Sequence, residues 1–263
     1  APNDTTPHPQ MMSSSPSGVM ARLKAATASL HDALEALPRM RRLVDPELTR
    51  GEYLELLRRF YRAHQVCEGH LRARAGVWES RGLDWSSRLG KTAWLAEDLR
   101  RLDPDWRPSE ERPSDEGASY RGHSDEGSSD RGLSAPDNPA IRATGSALAS
   151  REASRLMPYS GEGFAPAAGC LYVLEGATLG SRVILGLLGR ARAQPAAGAT
   201  RFFQGYGPLT GERWATLGRE LQAELDQDKL ALNQALEAAN ETYAFLRETL
   251  KNDSISLASP SES

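Results

Sequence analysis

The sequence predicts an all-α fold, and three observations carry that prediction. Apolar residues step by four and three along Tyr53, Leu57, Phe60, His64, Cys67 and Leu71, and again along Leu232, Leu236, Ala239, Tyr243, Leu246 and Leu250. Each series lines one face of a helix. No comparable run alternates with period two, so the signature of a half-buried strand is missing. Thr49, followed three residues later by Glu52, supplies a capping box just ahead of the first series.

Taken in order, the first helix covers Leu23 to Leu37, where Thr27, His31 and Glu35 recur every four residues and share a face. The second starts at the Thr49 cap. A third is expected from about Asp84, with Trp85, Leu89, Thr92, Leu95, Leu99 and Leu102 turned inward. From Pro104 to Pro139 the composition shifts to Ser, Asp, Glu, Gly, Arg and Pro, and the decapeptide at 114–123 is nearly repeated at 124–133. Such a segment has too few apolar residues to offset the entropy of ordering. It reads as a disordered insertion, about residues 104–138. A weak helix over 140–156 leads into the most apolar stretch, 164–189, which reads as a buried helix. The chain is thus expected to be one domain, 20–250, between disordered tails at 1–19 and 251–263.

At 263 residues and 39 % hydrophobic, the chain can bury one substantial core. A net charge of −3 and the lack of basic patches interleaved with aromatics argue against nucleic acid as a partner. Cys67 and Cys170 each fall within an apolar helical pattern, which suits two buried thiols in a reduced compartment. The first twenty residues have neither the charged start nor the apolar run of a signal peptide, and the 164–189 stretch carries Glu175 and Arg182 near its middle. The expectation is a soluble, cytoplasmic protein that does not engage a membrane.

Two features stand out from this helical background. Gly176 and Gly180 lie four apart inside the apolar stretch, although each helix-interior glycine costs roughly 1 kcal/mol relative to alanine. Either the backbone must approach something flat or large, or two helices pack closely there. Of the five histidines, His8 and His123 fall in the tail and the insertion, His70 lies off its stripe, and His64 reads as a hydrogen-bonded core residue. His31 would read the same way if it stood alone. Thr27 and Glu35, one turn to either side, give it instead the supported setting of an iron-bound imidazole. No Ser/His/Asp set is separated widely enough for a triad, no Glu-x-x-His pair of the di-iron type occurs, and no Walker loop is present.

The Thr27-x-x-x-His31-x-x-x-Glu35 segment together with Gly176-x-x-x-Gly180 resembles the heme oxygenase family, and more closely its bacterial, biliverdin-producing branch, over most of residues 20–250. The resemblance implies a single-domain helical bundle with heme held between a proximal and a kinked distal helix. His31 is then the iron ligand, and Gly176 and Gly180 cover the other heme face. Lys24 matches a propionate contact. The Phe202-Phe-Gln-Gly-Tyr-Gly207 segment and the following Arg213 to Arg219 resemble the family's Phe-Phe segment and basic helix, so Arg219 is a second propionate partner and Arg213 a weaker third. The implied reaction opens heme to biliverdin, ferrous iron and carbon monoxide, using molecular oxygen. Its electrons would come from an external ferredoxin or flavoprotein reductase, because no flavin or nicotinamide fingerprint occurs here. Whether the bilin feeds a phytochrome or the reaction serves iron release stays open.

Two positions depart from the pattern. Animal-type members carry an aspartate, which organises distal water, where this chain has Ala177, and a further glycine where it has Ser181. The Thr178 or Ser181 hydroxyls, or carbonyls freed by a kink, are the expected substitutes for holding that water. Ala177 also keeps a second function open, that of a non-catalytic heme-binding protein for storage, delivery or sensing. A heme-free member of the same superfold is the third.

Overall fold

The computed structural model describes residues 18–108, 157–191, 196 and 198–251. The tail before residue 18, the decapeptide repeat, the weak helix expected over 140–156 and the tail after residue 251 lie outside the described residues, as do His8 and His123. The described residues are helical with no strand, as the periodicity predicts. The helices are α1 (Val19–Glu35), α2 (Pro38–Leu43), α3 (Arg50–Arg72), α4 (Gly76–Glu79), α5 (Lys91–Leu102), α6 (Phe164–Leu188), α7 (Arg201–Gln204), α8 (Thr210–Leu225) and α9 (Lys229–Lys251).

The local start signals act as the sequence suggests at α3. Thr49 Oγ1 accepts from the Glu52 amide at 3.3 Å, and Glu52 Oε2 accepts from the Thr49 amide at 2.9 Å. Such a cap contributes about 1 kcal/mol. Arg42 adds a fork onto Glu52 at 2.9 and 2.8 Å, and its guanidinium, with the Thr49 amide, holds the Glu52 carboxyl down at about 2.

Three expected boundaries shift. Val19 is fully buried, and its amide donates to Gln222 Oε1 on α8 at 2.8 Å, so the fold begins one residue before the expected limit. The third long helix starts at Lys91, not near Asp84. Residues 86–88 form a 3₁₀ turn instead, which sets Trp85 against Phe164 at 4.9 Å, and the first α5 amides are met by a remote carboxylate. Glu68 of α3 accepts from Lys91 N at 2.7 Å and Thr92 N at 3.3 Å. The ordered chain also continues past Pro104, where Trp106 packs edge-on against Tyr61 at 4.9 Å.

Packing divides the bundle into two cores. The larger joins α1, the second half of α3, the first half of α6, α8 and α9; the smaller joins α2, the first half of α3, α5, α7 and the end of α6. The α6–α9 seam is the most extensive, and α1 lies along α9 and α8. At Gly169 the α6 backbone rides directly on α9: a Cβ there would sit 2.2 Å from the Ala235 carbonyl oxygen. By length and apolar content α6 would reach across a membrane, but residues 164–175 are all buried within the bundle.

His64 and both cysteines are core residues, as expected. Cys67 and Cys170 are free, buried thiols, and burial, with each sulfur beside the other, pushes the Cys67 thiol well up. His64 lies among Phe60 and Phe202, with Nδ1 2.8 Å from the Phe60 carbonyl. Burial holds its imidazole down at about 4 against an ordinary value of 6.5, with the Glu68 carboxylate opposing only part of that shift. A base depressed in the folded state stabilises the fold fully above 6.5, and that contribution is lost as pH falls towards 4. The loss amounts to about 3 kcal/mol. Urea midpoints measured between pH 7 and 4 should show it, and His64→Gln should flatten the slope in that window; an equal slope in both proteins would assign the loss to other groups.

Candidate functional site

Two helices, α1 and α6, carry the expected site residues. Both pack on α8 and α9, and Thr27 of α1 faces Tyr172 of α6. Along α1, Lys24, His31 and Glu35, spaced by seven and four, lie on an exposed face, whereas Thr27, expected on the same face, turns inward, 2 % exposed, with its hydroxyl donated to the Leu23 carbonyl at 2.8 Å. The His31 side chain is 47 % exposed. Its Nε2 lies 3.6 Å from Glu35 Oε1 and its Nδ1 3.7 Å from Asp32 Oδ1. Neither contact is short enough to fix the ring, so the imidazole can turn either nitrogen outward.

Helix α6 changes character midway. Residues 164–175 are buried; from Gly176 onward one side of the helix opens to solvent, with Leu179 39 % and Val183 68 % exposed. Gly176, Gly180, Val183 and Leu187 fall on one helical stripe. The glycine geometry separates the two explanations left by the sequence. A Cβ at Gly176 would meet only the edge of Trp214 at 3.7 Å, and one at Gly180 would meet nothing within 4 Å, whereas Gly169 is the position that helix packing requires. Close packing therefore explains Gly169, a residue the sequence reading missed, and leaves Gly180 facing open space and Gly176 at ordinary contact distance from the Trp214 ring.

Aromatic rings lie beside both helices. Tyr243 of α9 meets the His31 ring edge-on at 5.9 Å, and Tyr172 of α6 stacks at a tilt on Trp214 of α8 at 5.5 Å. Burial raises both phenols, with the Glu35 carboxylate and Tyr172 adding to the effect at Tyr243 and Thr27 facing Tyr172, so both stay protonated at neutral pH. An exposed imidazole, a stripe free of side chains and neighbouring aromatic rings are groups that suit a flat, largely apolar molecule.

The comparisons fit that geometry. The model of the heme oxygenase family matches residues 17–132, which include Lys24, Thr27, His31 and Glu35 and end before α6. No curated protein sequence matches the chain. Among solved structures, a heme oxygenase from Leptospira interrogans superposes with a TM-score of 0.59 at 16 % identity, over 89 % of this chain and 99 % of that one. The chain has the heme oxygenase fold.

Within that fold the remaining expected residues divide. Met20 of α1 packs against Gly218 of α8, and Lys24 and Arg219, on those two helices, are both exposed. Arg213 is placed differently. Its guanidinium stacks on Tyr206 at 4.3 Å and donates to Ser87 Oγ at 2.8 Å, which commits it to the turn before α5. Thr178 and Ser181 sit on the half of α6 turned away from the Gly176–Gly180 stripe. Thr178 Oγ1 donates to the Glu175 carbonyl at 2.6 Å and Ser181 Oγ to the Ala177 carbonyl at 2.9 Å, and both residues are buried. Both hydroxyls are donated to carbonyls of their own helix rather than to the Gly176–Gly180 stripe. The helix also runs unbroken from Phe164 to Leu188, through both glycines.

A charged cluster that sequence reasoning missed lies just behind the stripe. Glu175, 1 % exposed, receives Lys91 Nζ at 2.6 Å, Arg88 Nη1 at 3.0 Å and the Tyr206 hydroxyl at 2.7 Å. Burial alone would raise this carboxyl, but Lys91, Tyr206 and Arg88 outweigh it and hold the group below its ordinary value. The only local signal was a glutamate in the middle of an apolar helix.

Proposed function

We propose that the chain binds heme between α1 and α6 and opens it to biliverdin, ferrous iron and carbon monoxide. His31 would be the axial ligand, Glu35 would orient its imidazole, and the Gly176–Gly180 stripe would cover the opposite face. The single observation that carries this reading is the open stripe: glycines that no protein neighbour requires, flanked by exposed Leu179 and Val183, together with an unencumbered histidine on α1. Neutral imidazole is a suitable iron ligand near pH 7 and leaves the other axial position free. The chain's own contribution is to hold the substrate in plane, to exclude bulk water with the Tyr172, Trp214 and Tyr243 rings, and to keep side chains off the reacting edge. Oxygen and electrons would come from outside, the latter from a ferredoxin or flavoprotein reductase, and a soluble, cytoplasmic setting suits such a donor.

The test is hemin titration followed by reduction in air. A one-to-one Soret band that converts to a biliverdin absorption supports the enzyme. One observation favours a second reading, a heme-binding protein for storage, delivery or sensing: Ala177 brings no carboxylate to the stripe, and the neighbouring hydroxyls of Thr178 and Ser181 point away from it. A persistent oxygenated heme spectrum would select that reading.

Lys24 on α1 and Arg219 on α8, both exposed, would receive the propionates. Exposed pairs of this kind contribute only about 0–1 kcal/mol each. Lys24→Ala and Arg219→Ala should therefore leave hemin affinity within roughly fivefold of wild type while changing the ratio of biliverdin isomers, since in-plane rotation is what propionate pairing fixes. Identical isomer ratios by chromatography in both variants would reject the assignment.

A further inference from the structure

The Glu175 cluster sits where α6 changes from a buried to an open helix: residues 164–175 are enclosed, and Gly176 is the first residue beyond. Three groups reach Glu175 from separate elements. Lys91 comes from the start of α5, Arg88 from the turn before it, and Tyr206 from the turn before α8. The anchors are themselves tied down. Lys91 Nζ also donates to the Arg88 carbonyl at 3.0 Å, Arg88 Nη1 donates to the Arg213 carbonyl at 3.1 Å, and Glu68 holds the Lys91 amide. Arg88 further faces Glu220 at 3.7 Å and Arg72 pairs with Glu68 at 2.8 Å, so three carboxylates are matched by three cations.

Buried ion pairs add little net stability over well-packed apolar residues, because desolvation offsets most of the attraction. What directional bonds from three sides do provide is a unique position. We propose that Glu175, with Lys91, Arg88 and Tyr206, is a positioning clamp that fixes the rotation and height at which α6 leaves the core, and thereby sets the direction of the Gly176–Gly180 stripe. The inference rests on the heme reading for what the stripe covers, but not for the clamp itself. Without Glu175 the second half of α6 would keep its apolar anchors, Ile184, Leu185 and Leu188 in the smaller core, but not its register at the exit point.

Amide hydrogen exchange on the heme-free protein tests this directly. In Glu175→Gln, residues 176–188 should exchange about tenfold faster or more, while residues 164–174 change less than about threefold. Tyr206→Phe, which removes the hydroxyl's bond to Glu175 and its longer contacts with Lys91 Nζ and the Arg88 carbonyl but leaves both ion pairs, should act in the same direction more weakly, and it decides the matter if Glu175→Gln does not fold. On hemin-reconstituted protein, both variants should alter the ferric absorption spectrum at unchanged one-to-one stoichiometry. Uniform acceleration across α6 and α9 would reduce the cluster to general stability and overturn the proposal, as would unchanged exchange at 176–188. If the wild-type protein takes up no hemin, the heme reading falls, and the exchange comparison still decides the clamp.

Discussion

His31→Ala is expected to weaken hemin binding by roughly 100-fold and to reduce turnover to background. The side chain is 47 % exposed and makes no short hydrogen bond, so its removal costs the fold little, and alanine is the better helix former at an α1 interior position. The circular dichroism spectrum and the thermal midpoint should stay close to wild type while the Soret band broadens and shifts. Added imidazole should restore part of the spectrum by occupying the vacated space. The trio of His31, Asp32 and Glu35 has ligand atoms within 4.8 Å of one another and could hold a divalent cation, so the titration is best run with chelator present. His64→Ala is the control. It opens a cavity in the aromatic cluster and should lower stability while leaving the hemin spectrum intact; if it abolishes binding and His31→Ala does not, the ligand assignment is wrong.

The second large effect is a contrast between glycines on the same helix. Gly169→Ala forces a Cβ against the Ala235 carbonyl and should destabilise the fold by about 3 kcal/mol, because a backbone cannot yield as a flexible side chain can. Gly180→Leu should do the opposite. It has open space for the new side chain, gains up to about 1 kcal/mol of helix propensity, and should lose hemin affinity by at least about 30-fold because leucine occupies the volume of a bound porphyrin. Urea denaturation and hemin titration of the two variants measure both sides of the contrast. A Gly180→Leu protein that binds hemin normally would remove the ligand-covering role from the stripe.

The helices were readable wherever burial repeats with the helical period, as at Tyr53 to Leu71 and Leu232 to Leu250, and wherever a cap is local, as at Thr49 and Glu52. They were not readable where a distant residue sets the boundary. The start of α5 depends on a carboxylate 23 residues away, at Glu68. The short α7 depends on Asp98, whose two oxygens accept from Arg201 N and Phe202 N at 2.8 Å each. In the site, spacing put Thr27, His31 and Glu35 on one face of α1 and Gly176 and Gly180 on one stripe of α6; the structure exposes His31 and Glu35 but turns Thr27 inward, because α1 packs on its neighbours along that edge. The same arithmetic puts Thr178 and Ser181 on the far side of α6, where their hydroxyls satisfy backbone carbonyls. Gly169 and the Glu175 cluster were hidden because their partners, Ala235, Lys91, Arg88 and Tyr206, become neighbours only in the folded chain.

The central claim is that the chain binds heme between α1 and α6 through His31 and opens it. The most direct measurement adds ascorbate or a ferredoxin reductase system to the hemin-reconstituted protein in air, under catalase, and follows the visible spectrum with carbon monoxide trapped in parallel. The account predicts loss of the Soret band, growth of a biliverdin absorption and about one carbon monoxide per heme lost. A stable oxygenated spectrum with no carbon monoxide, or no Soret band at any hemin concentration, would contradict it.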